Sequence, residues 1–194
     1  MTLNAEEAIA VLVRLLANRH PGVRQNASLT LGRMKARKTI PEIKSLLQDK
    51  ESNVRRTAAE ALGDLDAKDA AGELRKLLAD ENGEVRVSAA ETLARVGLDE
   101  ERKELVMLLR DSDARARASA VWALRKLNAR DAAAQILPLL EDVEQFVRIH
   151  AVEFFAYFGI KESIPELRKL LKDPQAGVRD VAEQALKTLG APHE

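Results

Sequence analysis

The sequence predicts an all-α protein: an α-solenoid of six helix-pair repeats. Three observations carry this. A Val-Arg pair recurs every 31 residues, at Val23-Arg24, Val54-Arg55, Val85-Arg86, Val147-Arg148 and Val178-Arg179, with Ala116-Arg117 in the remaining slot. A Leu-Leu pair keeps the same spacing at Leu15-Leu16, Leu46-Leu47, Leu77-Leu78, Leu108-Leu109, Leu139-Leu140 and Leu170-Leu171. So does an alanine lane: Ala27, Ala58, Ala89, Ala120, Ala151 and Ala182. Repeats 5–35, 36–66, 67–97, 98–128, 129–159 and 160–190 tile the chain without an insertion and read as a single repeat domain over 1–194.

Each repeat reads as two helices. In the second repeat Ile40, Ile43, Leu46 and Leu47 mark one face of a first helix. A polar turn, 48–53, follows. Val54, Ala58, Ala61, Leu62 and Leu65 then mark the face of a second helix. Pro41 and Pro165 open first helices, where a missing N–H costs nothing. Pro138 falls in the middle of the first helix of the fifth repeat and is expected to kink it. Gly97, Gly159 and Gly190, with Asp66 and Asn128 in the same lane, are expected to close second helices in the left-handed conformation. One helix pair cannot bury its apolar faces, so stacking of pairs must supply the core. Glu183 replaces Ser28, Ala59, Ala90, Val121 and Val152 and reads as a polar cap on the last repeat. Val11 replaces the Glu or Gln of the other repeats. It is open to three readings: a lost upstream segment, a weak hint of self-association at the N-terminal repeat, or, most simply, an isolated exposed valine.

Composition narrows the function classes. The 31 basic residues equal the 31 acidic ones, which argues against phosphate neutralisation on a nucleic acid. There is no cysteine, which removes thiolate metal sites and a cysteine nucleophile and fits a reducing, cytoplasmic setting. The first residues carry Glu6, Glu7 and Arg14 among apolar ones, unlike a signal peptide, and no apolar run is long enough for membrane insertion. His20, His150 and His193 do not converge by register, so neither a metal nor another cofactor is expected. No Gly-rich phosphate loop and no Ser-His-Asp arrangement follow from the register. Acidic runs such as Asp99-Glu100-Glu101 fall where first helices begin and suit the helix dipole.

The run Leu46-Leu47-x-Asp49 … Val54-Arg55-x-x-Ala58-Ala59-Glu60-Ala61-Leu62-Gly63 resembles the HEAT-like repeats named after phycobilisome (bilin) lyases, and the resemblance covers residues 5–190. It implies a right-handed superhelix of the armadillo/HEAT kind, with second helices lining the concave side. It also implies an inter-repeat ladder of arginines 24, 55, 86, 117, 148 and 179 with Asp49, Asp80, Asp111, Asp142 and Asp173, Asn18 departing from the pattern. A charge-assisted structural ladder explains that row better than an anion site. The family contains scaffolds and adaptors as well as bilin lyase subunits.

The exposed stripe of each second helix is expected at i, i+4, i+7 and i+11 from Gly22, Asn53, Glu84, Arg115, Phe146 and Gly177. Over six repeats it carries four basic and five acidic side chains, which disfavours a nucleic acid. The basic run Arg33, Lys35, Arg37 and Lys38 reads as a solvated corner. All six aromatic residues lie between Trp122 and Phe158. Phe154, Phe155 and Phe158 occupy core lanes, whereas Trp122, Phe146 and Tyr157 occupy lanes that are mostly polar or Gly elsewhere. These three are expected to form one patch with Ile149, rimmed by His150, Glu153, Arg115 and Lys126. Two functions follow as expectations. One is a non-enzymatic scaffold or adaptor that binds a protein or peptide. The other is a bilin lyase-type subunit or chromophore chaperone holding a tetrapyrrole on the same patch.

Overall fold

The computed structural model describes residues 4–96 and 102–191, and every described regular element is helical. The chain divides into two compact units, Met1–Glu101 and Arg102–Glu194. Gly97, Asp99-Glu100-Glu101 and His193 lie outside the described residues.

In the N-terminal unit the first helices are α1 (Ala5–Leu15), α3 (Ile40–Ser45) and α5 (Ala71–Lys76), and the second helices are α2 (Pro21–Arg33), α4 (Ser52–Asp64) and α6 (Gly83–Val96). Second helices pack side by side as one layer, α2 on α4 and α4 on α6, and each first helix packs on its own second helix. Apolar positions of both layers meet between them: Leu31, Ile43, Val54, Leu62, Leu74, Val85 and Leu93 are fully buried. The C-terminal unit repeats the plan with α7 (Arg102–Leu108) against α8 (Ala114–Lys126) and α11 (Ile164–Lys169) against α12 (Ala176–Thr188); between them, the 3-10 stretch Leu137–Glu141 that follows α9 (Ala133–Ile136) packs against α10 (Gln145–Phe158).

Second helices end alike. In the first repeat the Lys35 N–H donates to Gly32 O and the Ala36 N–H to Leu31 O, the paired bonds of a Schellman cap. The same pair recurs at Asp66-Ala67, Asn128-Ala129, Gly159-Ile160 and Gly190-Ala191. The cap needs a left-handed residue, and φ is 55° at Lys35, 52° at Asp66, 51° at Asn128, 63° at Gly159 and 75° at Gly190. Lys35 thus fills the lane that glycine fills elsewhere.

First helices are shorter than the apolar pattern suggests. In repeats two, three and six, six α-helical residues are followed by a 3-10 turn over the Leu-Leu pair, Leu46–Gln48, Leu77–Ala79 and Leu170–Lys172. The expected mid-helix kink at Pro138 is therefore replaced by an early stop. Without an N–H, Pro138 cannot extend α9, which ends at Ile136, and a 3-10 stretch runs over Leu137–Glu141. Pro41 and Pro165 sit in the first turns of α3 and α11.

The 3-10 turn delivers the ladder aspartate. Asp49, Asp80, Asp142 and Asp173 follow it in extended conformation, and each Oδ1 accepts the N–H two residues on, from Glu51, Asn82, Glu144 and Gln175. Four of these carboxylates are gripped by the arginine of the preceding repeat. Arg24 reaches Asp49 at 2.7 Å through both Nε and Nη2; Arg55 reaches Asp80 at 2.7 and 2.9 Å; Arg117 reaches Asp142 at 2.7 and 2.8 Å. Arg148 donates from Nη2 to Asp173 at 2.9 Å, with Nε 2.8 Å from Oδ2 but outside hydrogen-bonding alignment. Each Nη1 donates back to carbonyls of its own turn, as Arg55 does to Asp49 O at 2.9 Å. Burial opposes the charge on Asp49, Asp142 and Asp173, yet the hydrogen bonds from arginine and backbone outweigh it and hold each pKa below the ordinary aspartate range.

Candidate functional site

The outer face of the second-helix layer is not uniformly open. Thr57, Ser88 and Ser119, expected on the exposed stripe, are buried. Their small hydroxyls sit between neighbouring helices: Thr57 Oγ1 lies 3.4 Å from Ser28 Oγ, and Ser88 donates to Glu60 at 3.3 Å. Close approach is set by Gly32, where a Cβ would stand 2.9 Å from Ala61 Cα. Glu60 and Asp64 on this face are already committed to Arg56 and Arg95.

The C-terminal unit breaks the small-hydroxyl lane. His150 replaces the serine or threonine, is half-buried, and places Nδ1 3.4 Å from the Glu153 carboxylate. Glu153 is also held by Arg125 at 3.2 Å. The Arg125 guanidinium lies 5.9 Å from the centre of the Tyr157 ring, and Lys126 Nζ lies 5.7 Å from that of Trp122. Arg115 is exposed and tied to Asp113, which caps α8 by accepting the Arg115 N–H at 2.9 Å.

The aromatic residues separate only partly into core and surface. Phe154 and Phe155 are fully buried and packed edge to face at 5.6 Å. Phe158 is half-buried against Phe154. Tyr157 is 62% exposed; Trp122, Phe146 and Ile149 are half-buried. Among the described residues, however, ring contacts link only Phe154, Phe155, Tyr157 and Phe158, so Trp122 and Phe146 do not join Tyr157 in one stack. The reason is longitudinal. Phe146 and Tyr157 lie eleven positions apart on α10, about 16 Å at 1.5 Å per residue, and the lane of Trp122 runs between theirs. The three rings stand as separate side chains along the second-helix face. Arg125, which clamps Glu153 and Tyr157, escaped the sequence reading because four of the other five positions in its lane, Gly32, Gly63, Ala94 and Ala156, are small, Lys187 being the exception.

In the last repeat Glu183 is half-exposed and paired with Lys187 at 2.7 Å, and in the first repeat Val11 is 43% exposed. Among the described residues no helix is long and apolar enough to cross a membrane.

Comparison with known proteins agrees with the repeat plan. Similar solved structures include YibA of E. coli (TM-score 0.79, 20% identity, 96% of this chain and 72% of that one). The complex of CpcE and CpcF of phycocyanin lyase from Nostoc sp. PCC7120 is similar at TM-score 0.71 and 22% identity, over 98% of this chain and 78% of that one. A designed armadillo repeat protein in complex with the peptide (KR)4 gives TM-score 0.68 and 22% identity, over 93% and 99%. At such identities the likeness is one of fold. A search of curated proteins finds no match. The sequence profile of HEAT repeats matches residues 40–125 and 103–187, and with the helix pairs, caps and ladder described above this places the chain in the HEAT repeat family.

Proposed function

We propose that the protein is a non-enzymatic scaffold or adaptor that binds an extended peptide segment of a protein partner on the second-helix face of its C-terminal unit. One observation carries the reading: Tyr157 is 62% exposed, and Trp122 half-exposed, on lanes where the other repeats carry mostly charged or polar residues. Exposed rings on rigid helices are inexpensive anchors, because little side-chain freedom remains to be lost. The spacing fits a chain rather than a flat ligand. Phe146, Trp122 and Tyr157 spread over about 16 Å, the span of about five extended residues. His150, Glu153, Arg115 and Lys126 provide a polar rim. A similar fold was solved with a bound peptide, and another similar structure is a complex of two proteins.

The test compares Trp122→Ala and Tyr157→Ala with Phe155→Ala. Trp122→Ala should cost about 1–2 kcal/mol of stability, against about 3–5 for Phe155→Ala. It should remove about 2 kcal/mol of binding to a partner recovered with the wild type, roughly thirtyfold. Normal binding by both surface variants would defeat the reading. The tetrapyrrole alternative has its own arm: an equimolar shift in visible absorbance on adding a free bilin would favour it.

A further inference from the structure

The N-terminal unit contains a cavity that its repeat pattern does not call for. In the lane that ends each second helix, Leu65, Val96, Leu127 and Leu189 are at most 5% exposed and Phe158 is half-buried, whereas Met34 is 38% exposed. Beside it opens a cavity of ≈ 530 Å³, within the range of about 300–1,000 Å³ typical of ligand sites. Ile9 of α1, Met34 and Ala36 supply its apolar surface. Its basic side comes from the turn after α2: Lys35, Arg37 and Lys38, opposed by one lining carboxylate, Glu6.

These cations are available in different degrees. Lys35 donates to the carbonyl of Asp64. Among the described residues Arg37 makes one open ion pair, with Asp66 at 3.3 Å, both side chains more than half exposed, which solvent screens. Lys38 and the nearby Arg33 are exposed, and no ion pair engages either of them among the described residues. The left-handed Lys35 cap and the 3-10 turn Arg37–Thr39 hold this basic run as a bend beside the cavity rather than letting it extend as a loose loop.

We propose that this cavity binds an acidic peptide segment in which a large apolar side chain is flanked by Asp or Glu residues. The apolar surface takes the side chain, and Arg37 and Lys38 meet the flanking carboxylates. A bare anion would gain nothing from Ile9 and Met34. A single fatty carboxylate would meet one cation of a row spread over four residues. The site is in the N-terminal unit and shares no residue with the aromatic face of the C-terminal unit.

The experiment uses the full chain and the dye-labelled peptide Glu-Asp-Leu-Phe-Glu-Asp, read by fluorescence anisotropy and by the Met34 methyl resonance. Saturable binding that weakens with salt is expected, together with a shift of the Met34 methyl. Arg37→Glu combined with Lys38→Glu should weaken binding at least tenfold while leaving the helical circular dichroism unchanged, since both residues are exposed. Trp122→Ala should leave it unaltered. Equal binding of Lys-Arg-Leu-Phe-Lys-Arg, or of Glu-Asp-Ser-Ser-Glu-Asp, would overturn the proposal. So would indifference to the double charge reversal, or a Met34 shift produced by sodium decanoate or by raising the protein concentration alone but not by the peptide.

Discussion

At the residue scale, small side chains decide how closely second helices approach. Gly32 illustrates two opposed effects. Alanine is the better helix former by about 1 kcal/mol. A Cβ at Gly32 would nevertheless stand 2.9 Å from Ala61 Cα and 3.1 Å from Ala61 Cβ, backbone and short side chain that cannot swing away. Overpacking of that kind costs about 1–3 kcal/mol in addition to cancelling the propensity gain. Gly32→Ala should therefore lower stability by about 1–2 kcal/mol in urea unfolding. Gly72→Ala, in α5 with open space around the added methyl, should raise it by up to about 1 kcal/mol. The same crowding gives His150 its interest, since an imidazole occupies a lane that Thr57, Ser88 and Ser119 fill with hydroxyls.

At the element scale, the arginine–aspartate rungs join a turn of one repeat to the second helix of the repeat before it. Removing one partner leaves the other buried. Arg117→Ala strands the Asp142 carboxylate, and the expected loss is about 2–4 kcal/mol. Its signature is electrostatic: burial still opposes the charge on Asp142 while the donor that outweighed it is gone, so the Asp142 pKa should rise in a carboxyl NMR titration. Linkage fixes the pH window. Asp49, Asp142 and Asp173 are held below the unfolded value of about 3.9. Their contribution is complete above that value and is lost as pH falls through it toward the folded pKa values. Wild-type stability should drop on acidification below about pH 4, and Arg117→Ala should show a shallower drop. An unchanged acid slope would remove the ladder from this account.

At the scale of the molecule, second helices of neighbouring repeats pack on one another within each compact unit. Glu183, paired with Lys187, stands in the lane where Val121 and Val152 are buried. Deleting residues 160–194 uncovers Val152 and should give a shortened helical array that associates in sedimentation. Val152→Glu in that truncation should restore a monomer by recreating the polar end. Association that persists in the capped truncation would mean that another uncovered surface is responsible.

The ladder partners were implied by the family resemblance, and the lane of Thr57, Ser88 and Ser119, read as exposed, is buried; the repeat length, the two-helix unit and the lanes of core leucine, valine and alanine were legible in the sequence. Each is a periodic property, and a 31-residue ruler aligns six copies that check one another. The surface aromatic residues were legible for the same reason, as exceptions within polar lanes. What the ruler could not reveal lies between lanes or departs from helical ideality. The 3-10 turns that shorten first helices depend on which carbonyl each N–H finally meets. Whether Phe146, Trp122 and Tyr157 touch depends on how the packed helices place their rings, and among the described residues no ring contact joins them. The Arg125 clamp is a contact between two elements, and the cavity beside Met34 is a gap in packing. Lanes follow from local periodicity that a single helix pair already obeys; contacts and gaps exist only when side chains of different elements compete for one volume, so the tertiary structure alone decided them.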